Sequence, residues 1–169
     1  MPAVYLGIGS NIERKKNIQQ AISSLRKRYG KLQCSSVYET QSYGFEGDPF
    51  FNLVARFETS EQASEVKSFL RSLELQQDRP LNAQKFKPRT IDLDFLMYGD
   101  LVCDEPDYKL PREDVLTFSF VLEPLSELAP NAKYPGSDNT FSECWQEFLS
   151  HHTQVASTKI AWSPLVKTS

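Results

Sequence analysis

The residues best able to do chemistry lie in the stretch 79–94, RPLNAQKFKPRTIDLD. Its end runs on into an alternating strand, Thr90-Ile91-Asp92-Leu93-Asp94-Phe95-Leu96-Met97. With a period of two, Ile91, Leu93, Phe95 and Met97 face one way, and Thr90, Asp92, Asp94 and Leu96 face the other. Two carboxylates two residues apart on a strand stand roughly 7 Å apart at their Cα atoms. They can converge on one cation, or on two neighbouring ones. Hard oxygen donors suit Mg²⁺, which takes one or two carboxylates together with phosphate oxygens and water. Aspartate is disfavoured in strands, yet two interrupt an otherwise apolar one. The loop before them carries Arg79, Lys85, Lys87 and Arg89. A basic loop running into an acidic pair is what a Mg-nucleotide site requires: the metal bridges phosphates and the cations neutralise the remaining oxygens. On these residues alone a plainer reading stays open, two solvated aspartates behind a solvated basic loop.

Such a pair needs a rigid frame, and the periodicity supplies one. Residues 3–8 read as a buried strand closed by Gly9-Ser10-Asn11. A helix is expected over about 16–29, with Ile18, Ala21, Ile22, Leu25 and Tyr29 on one face and Gly30 as its stop. Residues 32–39 form a second strand and 41–49 a loop rich in turn residues. Residues 50–58 alternate cleanly: Phe51, Leu53, Ala55 and Phe57 share one face, and Phe50, Asn52, Val54 and Arg56 the other. A second helix covers about 61–76 with the stripe Ala63, Val66, Leu70 and Leu73, capped by Thr59 or Ser60. A loop over 78–88 leads to the fourth strand, after which Tyr98-Gly99-Asp100 turns into a short hairpin arm, 101–104.

The order β-α-β-β-α-β is the ferredoxin-like arrangement of an antiparallel sheet with both helices on one face. An apolar segment near 118–128 and a helix opened by the capping box Thr140-x-x-Glu143 would cover the second face. The expected class is therefore α+β, with the sheet inside an α-β-α sandwich. Residues 1–150 are expected to form a single domain, and 151–169 a loosely packed tail. Gly7 and Gly9 precede no G-x-x-x-x-G-K pattern and read as a tight turn.

Composition narrows the class. A formal net charge of −3 argues against a general nucleic-acid binder. Three scattered cysteines, Cys34, Cys103 and Cys144, suit neither a disulfide framework nor a zinc knuckle, and fit a reducing cytoplasm. The N-terminal MPAVYLGIGSN lacks the features of a signal peptide, and no apolar run reaches membrane-spanning length. A cytoplasmic location, with neither nucleic acid nor membrane as partner, is the expectation.

Several stretches, in order over about residues 3–131, resemble the 6-hydroxymethyl-7,8-dihydropterin pyrophosphokinase family. They are VYLGIGSN, SSVYET, FFNLV, LELQQDR, PRTIDLDFLMYG and FVLEPLSELAP. The resemblance implies a monomer that moves pyrophosphate from ATP to a pterin alcohol and releases AMP, with ATP as co-substrate and two Mg²⁺ ions. Asp92 and Asp94 match its metal-bridging pair, and Arg79 and Arg89 match arginines on the ATP phosphates. Glu74 matches the glutamate of its E-L-Q-Q-x-R motif, on the ATP side. Asn52 matches the asparagine that reads the pterin edge. Phe50 and Phe120 match the aromatics between which the pterin stacks, and Thr40 and Tyr43 line that pocket. A flat bicycle held between rings, its edge read by an amide, is sound recognition chemistry. Loops at 44–48 and 83–87 are expected to close over the substrates.

The departures fall on the phosphate side. A family histidine after Leu-Pro is Arg112 here, which keeps a cation for ATP but cannot donate a proton near neutral pH. A family arginine in the basic loop is replaced by Leu81, with Lys85 left to supply charge to ATP. Another, before the FVL stretch, is missing at Thr117-Phe118-Ser119. Two alternatives follow: a pterin- or nucleotide-binding paralogue with weak or altered transfer, and a ferredoxin-like interaction module with a solvated acid pair.

Overall fold

The computed structural model describes residues 1–41, 48–77, 90–152 and 157–165. The expected order is present. β1 (Ala3–Ser10) leads to α1 (Arg14–Tyr29), then β2 (Gln33–Cys34), β3 (Val37–Thr40), β4 (Phe50–Glu58), α2 (Ala63–Gln77) and β5 (Asp92–Tyr98). Beyond them lie β6 (Cys103–Asp104), β7 (Lys109–Leu110), α3 (Asp114–Thr117), α4 (Ser119–Leu128), α5 (Phe141–His151) and β8 (Ser157–Ile160). The main sheet runs β5-β1-β4-β3-β8, with β2 also on β4, and every pairing is antiparallel.

Period two explains the sandwich. Val4, Leu6 and Ile8 of β1, Phe51, Leu53 and Phe57 of β4, and Leu93 and Phe95 of β5 turn to one face. There they pack on Ile18, Ile22 and Leu25 of α1 and on Val66, Leu70 and Leu73 of α2. The opposite face packs Val54, Leu96 and Met97 against Val121, Leu122, Leu125 and Phe141. α5 starts with the expected capping box, Thr140 and Glu143 each accepting the other's backbone N–H. Ahead of the second helix Thr59 Oγ1 accepts the Glu61 N–H, but the helix begins only at Ala63, so neither Thr59 nor Ser60 caps it as expected.

Five further expectations need correction. Gly7 and Gly9 lie inside β1, which runs on to Ser10, and form no turn. The second strand is broken at Ser35, whose hydroxyl accepts the Val54 N–H at 3.0 Å. A side chain thus replaces a main-chain acceptor in the ladder. In the fourth strand the register passes from Tyr5↔Met97 to Leu6↔Phe95, leaving Leu96 as an extra residue. This bulge turns Met97 to the same face as Leu96. The arm at 103–104 pairs with Lys109–Leu110. Finally, the tail is not loosely packed at 157–160: β8 pairs with β3, Val37↔Ile160 through Thr40↔Ser157. Only Ile160 in that segment is aliphatic and large, so its sequence carries little strand signal.

Candidate active site

Asp92 and Asp94 open β5, a terminal strand of the sheet among the described residues. Their register partners on β1 are Gly9 and Gly7. Gly9 in turn faces Asn52 on β4, and Asn52 faces Tyr38 on β3. One transverse row of the sheet therefore reads Asp92, Gly9, Asn52, Tyr38. The next reads Asp94, Gly7, Val54. Residues paired across strands share a face, so both carboxylates and the asparagine amide lie on the side that carries α4.

The two glycines are what keeps that surface open. A Cβ on Gly9 would sit 2.7 Å from Asn52 Oδ1, inside van der Waals contact. A Cβ on Gly7 would touch Asp94 Cβ at 3.6 Å and the Leu96 methyls just beyond. The sequence signal for this was present: two glycines two apart in a strand share one face, here the one facing the acid pair.

Asn52 is fixed by its own hydrogen bond, Nδ2 donating to Thr40 Oγ1 at 2.7 Å. Thr40 is buried, and Phe50 is its register partner. Phe120 sits in the first turn of α4, and its ring stacks on Phe118 with centroids 5.1 Å apart. Thr40, Phe50 and Asn52 thus occupy one corner of the sheet, on the face that α4 and Phe120 cover.

The other side of the acid pair is cationic. Arg112 Nη1 lies 3.6 Å from Asp94 Oδ1, and Nη2 donates to Asp114 Oδ2 at 2.7 Å. Burial alone would lower the Arg112 pKa, but the Asp94, Asp114 and Glu74 charges outweigh it and raise it. Arg112 N donates to Leu96 O at 3.0 Å, which seats the arginine against β5. Glu74, near the end of α2, accepts the Leu93 N–H at 3.2 Å, between the two aspartates in sequence. Ser10 Oγ lies 2.6 Å from Thr90 O, tying the end of β1 to the approach to Asp92. A cleft of about 240 Å³ opens beside Arg112, lined by the cations Lys67 and Lys109 and equally by the acids Asp107, Glu113 and Asp114.

The donor set fits a hard dication. Two adjacent carboxylates share a face, and the Asp94 side chain is 41% exposed. Among the described residues no third His, Cys, Asp or Glu completes a metal-ligating group. A cation here would take its remaining ligands from phosphate oxygens and water, the habit of Mg²⁺. The structure brings together Asp92, Asp94, Asn52, Thr40, Phe50, Phe120, Glu74 and Arg112. Tyr43, Arg79, Leu81, Lys85 and Arg89 lie outside the described residues, as do the two candidate lid loops except for Asp48. Among the described residues no helix is long and apolar enough to cross a membrane.

With this geometry in place, comparison with known proteins is direct. A family model described as 7,8-dihydro-6-hydroxymethylpterin-pyrophosphokinase matches residues 5–130. The chain is 32% identical to the 2-amino-4-hydroxy-6-hydroxymethyldihydropteridine pyrophosphokinase of Pseudomonas aeruginosa, over 78% of this chain and 83% of that one. It is 34% identical to the enzyme of the same name from Aquifex aeolicus, over 80% of this chain and 85% of that one. Among solved structures, a Plasmodium falciparum HPPK-DHPS superposes with a TM-score of 0.74 at 12% identity, covering 94% of this chain and 45% of that one. At that identity the likeness is one of fold, and this chain spans less than half the length of the solved one.

Proposed function

The chain belongs to the 7,8-dihydro-6-hydroxymethylpterin-pyrophosphokinase family, and from that membership we infer that it transfers pyrophosphate from ATP to 6-hydroxymethyl-7,8-dihydropterin in folate biosynthesis. The products are AMP and the pterin pyrophosphate. The observation that carries the site assignment is the row Asp92, Gly9, Asn52. It sets an amide reader and an acid pair two strand spacings apart, roughly 10 Å, with no side chain between them. A flat pterin can lie on that floor with its edge at Asn52 and its hydroxymethyl arm toward the aspartates.

In this reading Thr40 holds one amide hydrogen of Asn52 and so fixes which donor and acceptor meet the aminopyrimidinone edge. Phe50 and Phe120 bracket the ring. The pterin hydroxymethyl oxygen attacks the β-phosphorus. The bond from that phosphorus to the α,β-bridging oxygen breaks, and AMP leaves with the electron pair. The hydroxyl proton passes to solvent. Asp92 and Asp94 would hold two Mg²⁺ ions, whose chemistry is to neutralise and align phosphate oxygens. Arg112, 3.6 Å from Asp94, would meet the phosphates once a cation engages that carboxylate. Arg79, Lys85 and Arg89 supply further cations from the basic loop, Tyr43 lines the pterin side, and Glu74 steadies the strand between the aspartates. The chain acts as a monomer, and its three free cysteines suit the cytoplasm.

A second reading, a pterin-binding paralogue with weak transfer, is favoured by one observation. At the position of a family cation, Phe118 packs on Phe120. The discriminating experiment mixes the protein with Mg-ATP and 6-hydroxymethyl-7,8-dihydropterin and follows AMP and pterin pyrophosphate together. Equal yields of the two, lost in Asp92→Ala, are expected. Pterin-induced thermal stabilisation without product would move the assignment to the paralogue.

A further inference from the structure

We infer that the C-terminal strand β8 is a positioning element of the pterin pocket: through Glu123 and Glu127 it ties β3 to α4 and so fixes Phe120 relative to Thr40 and Asn52. Ser157 is the register partner of Thr40, and Lys159 that of Tyr38. Both side chains leave the sheet on the α4 side. Ser157 Oγ donates to Glu123 Oε1 at 2.5 Å, and Lys159 Nζ lies 3.2 Å from Glu127 Oε1. Glu127 also accepts the Tyr38 hydroxyl and the Ser36 N–H, each at 2.6 Å. Phe120, Glu123 and Glu127 are spaced three and four apart and share one helix face. The acid groups that anchor α4 therefore set the rotation and height of the ring one turn earlier.

The opposite face is held by the same segment. Trp162 stacks on Phe51, centroids 6.4 Å apart, between Phe50 and Asn52 in sequence. Arg14 lies 3.7 Å over the same Phe51 ring and donates to Glu39 at 2.8 Å and to Pro49 O at 3.1 Å. The corner that carries Thr40, Phe50 and Asn52 is thus gripped from both sides. Partly exposed hydrogen bonds and ion pairs add little to folding stability. Their effect on a site is larger, because recognition depends on placement to within about half an ångström. None of these groups needs to touch the pterin.

This inference rests on the pterin site proposed above. The test measures pterin affinity by calorimetry, and the Michaelis constants for pterin and ATP, in the full chain, in Ser157→Ala/Lys159→Ala and in Glu123→Ala. Ser157→Thr and Glu123→Gln serve as conservative controls that keep the hydrogen bond. The expected result is pterin binding weakened on the order of tenfold, within the reach of one hydrogen bond to a charged group. The ATP constant and melting temperature should stay put, and the controls should bind like the parent. Unchanged pterin affinity in both alanine variants would overturn the inference, as would pterin and ATP constants rising together with a lower melting temperature. A parent chain that binds no pterin would instead sink the site assignment itself, and this inference with it.

Discussion

Arg112 and Asp94 form an ion pair across the entrance to the acid site, 3.6 Å apart, with Asp114 holding the other arm of the guanidinium. A cation bound at Asp94 must share that carboxylate with the arginine. In the proposed function Arg112 would therefore have two opposing effects, repelling metal and attracting phosphate.

Arg112→Ala separates them. Binding of Mg²⁺ alone, read by titration calorimetry, should tighten a few-fold at most, because both side chains are more than one-third exposed and solvent screens the pair. The Michaelis constant for Mg-ATP should rise by about tenfold or more, the loss of a charge-assisted hydrogen bond. Equal movement of both constants in one direction would contradict this assignment.

Gly9→Ala tests the open floor. Its Cβ would collide with Asn52 Oδ1, and the amide can escape only by turning away from Thr40. The terminal amide is mobile enough that folding stability should fall by under about 1–2 kcal/mol. Pterin affinity should nonetheless drop steeply, with ATP binding spared. A crystal structure of the variant with Asn52 unmoved and pterin affinity intact would refute the proposed amide reader.

Phe118→Ala tests the aromatic that stands at a family cation position. An offset ring pair contributes about 0.5–1.5 kcal/mol. Loosening Phe120 should therefore raise the pterin Michaelis constant by roughly two- to tenfold. A change confined to the ATP constant would place Phe118 on the phosphate side instead.

Glu127 gives a pH signature. Burial would raise its pKa, but hydrogen bonds from Tyr38, Ser36 and Lys159 outweigh it and hold the carboxyl below its usual value of 4.5. A carboxylate with a depressed folded-state pKa stabilises the fold above the unfolded value, and that contribution vanishes as pH falls through the folded one. The melting temperature of Glu127→Gln should therefore lie below that of the parent at neutral pH. The gap should close as pH drops below about 4.5. A gap that stays constant down to strong acid would show that the ionised form is not what α4 uses.

Much of this frame is legible in the sequence because it depends on local periodicity. Asp92 and Asp94 share a face, Asn52 lies opposite the Phe51 stripe, and Thr140 caps α5 with Glu143, all read from spacing alone. What was hidden depends on distant partners. Ser35 breaks a strand because its hydroxyl takes the N–H of Val54, nineteen residues away. Leu96 bulges because of its register with β1. β8 forms because β3 offers an edge, although Ser157-Thr158-Lys159-Ile160 carries hardly any apolar alternation. Glu123 and Glu127 look like solvated helix acids until the tail that meets them is in place. Gly7 and Gly9 read as a tight turn, yet both lie inside β1, because a glycine in a strand also marks a close approach.

The placement of the acid pair also bears on solubility. Among the described residues β5 ends the sheet, and a terminal strand is a template on which a second chain can add. Here the Leu93 N–H is taken by the Glu74 carboxylate and the Leu96 carbonyl by the Arg112 amide, while the carboxylates of Asp92 and Asp94 flank Leu93 on either side. The groups suited to a divalent cation thus also guard the molecule against intermolecular strand addition. A variant that neutralises both aspartates would then be more prone to self-association, quite apart from any effect on turnover.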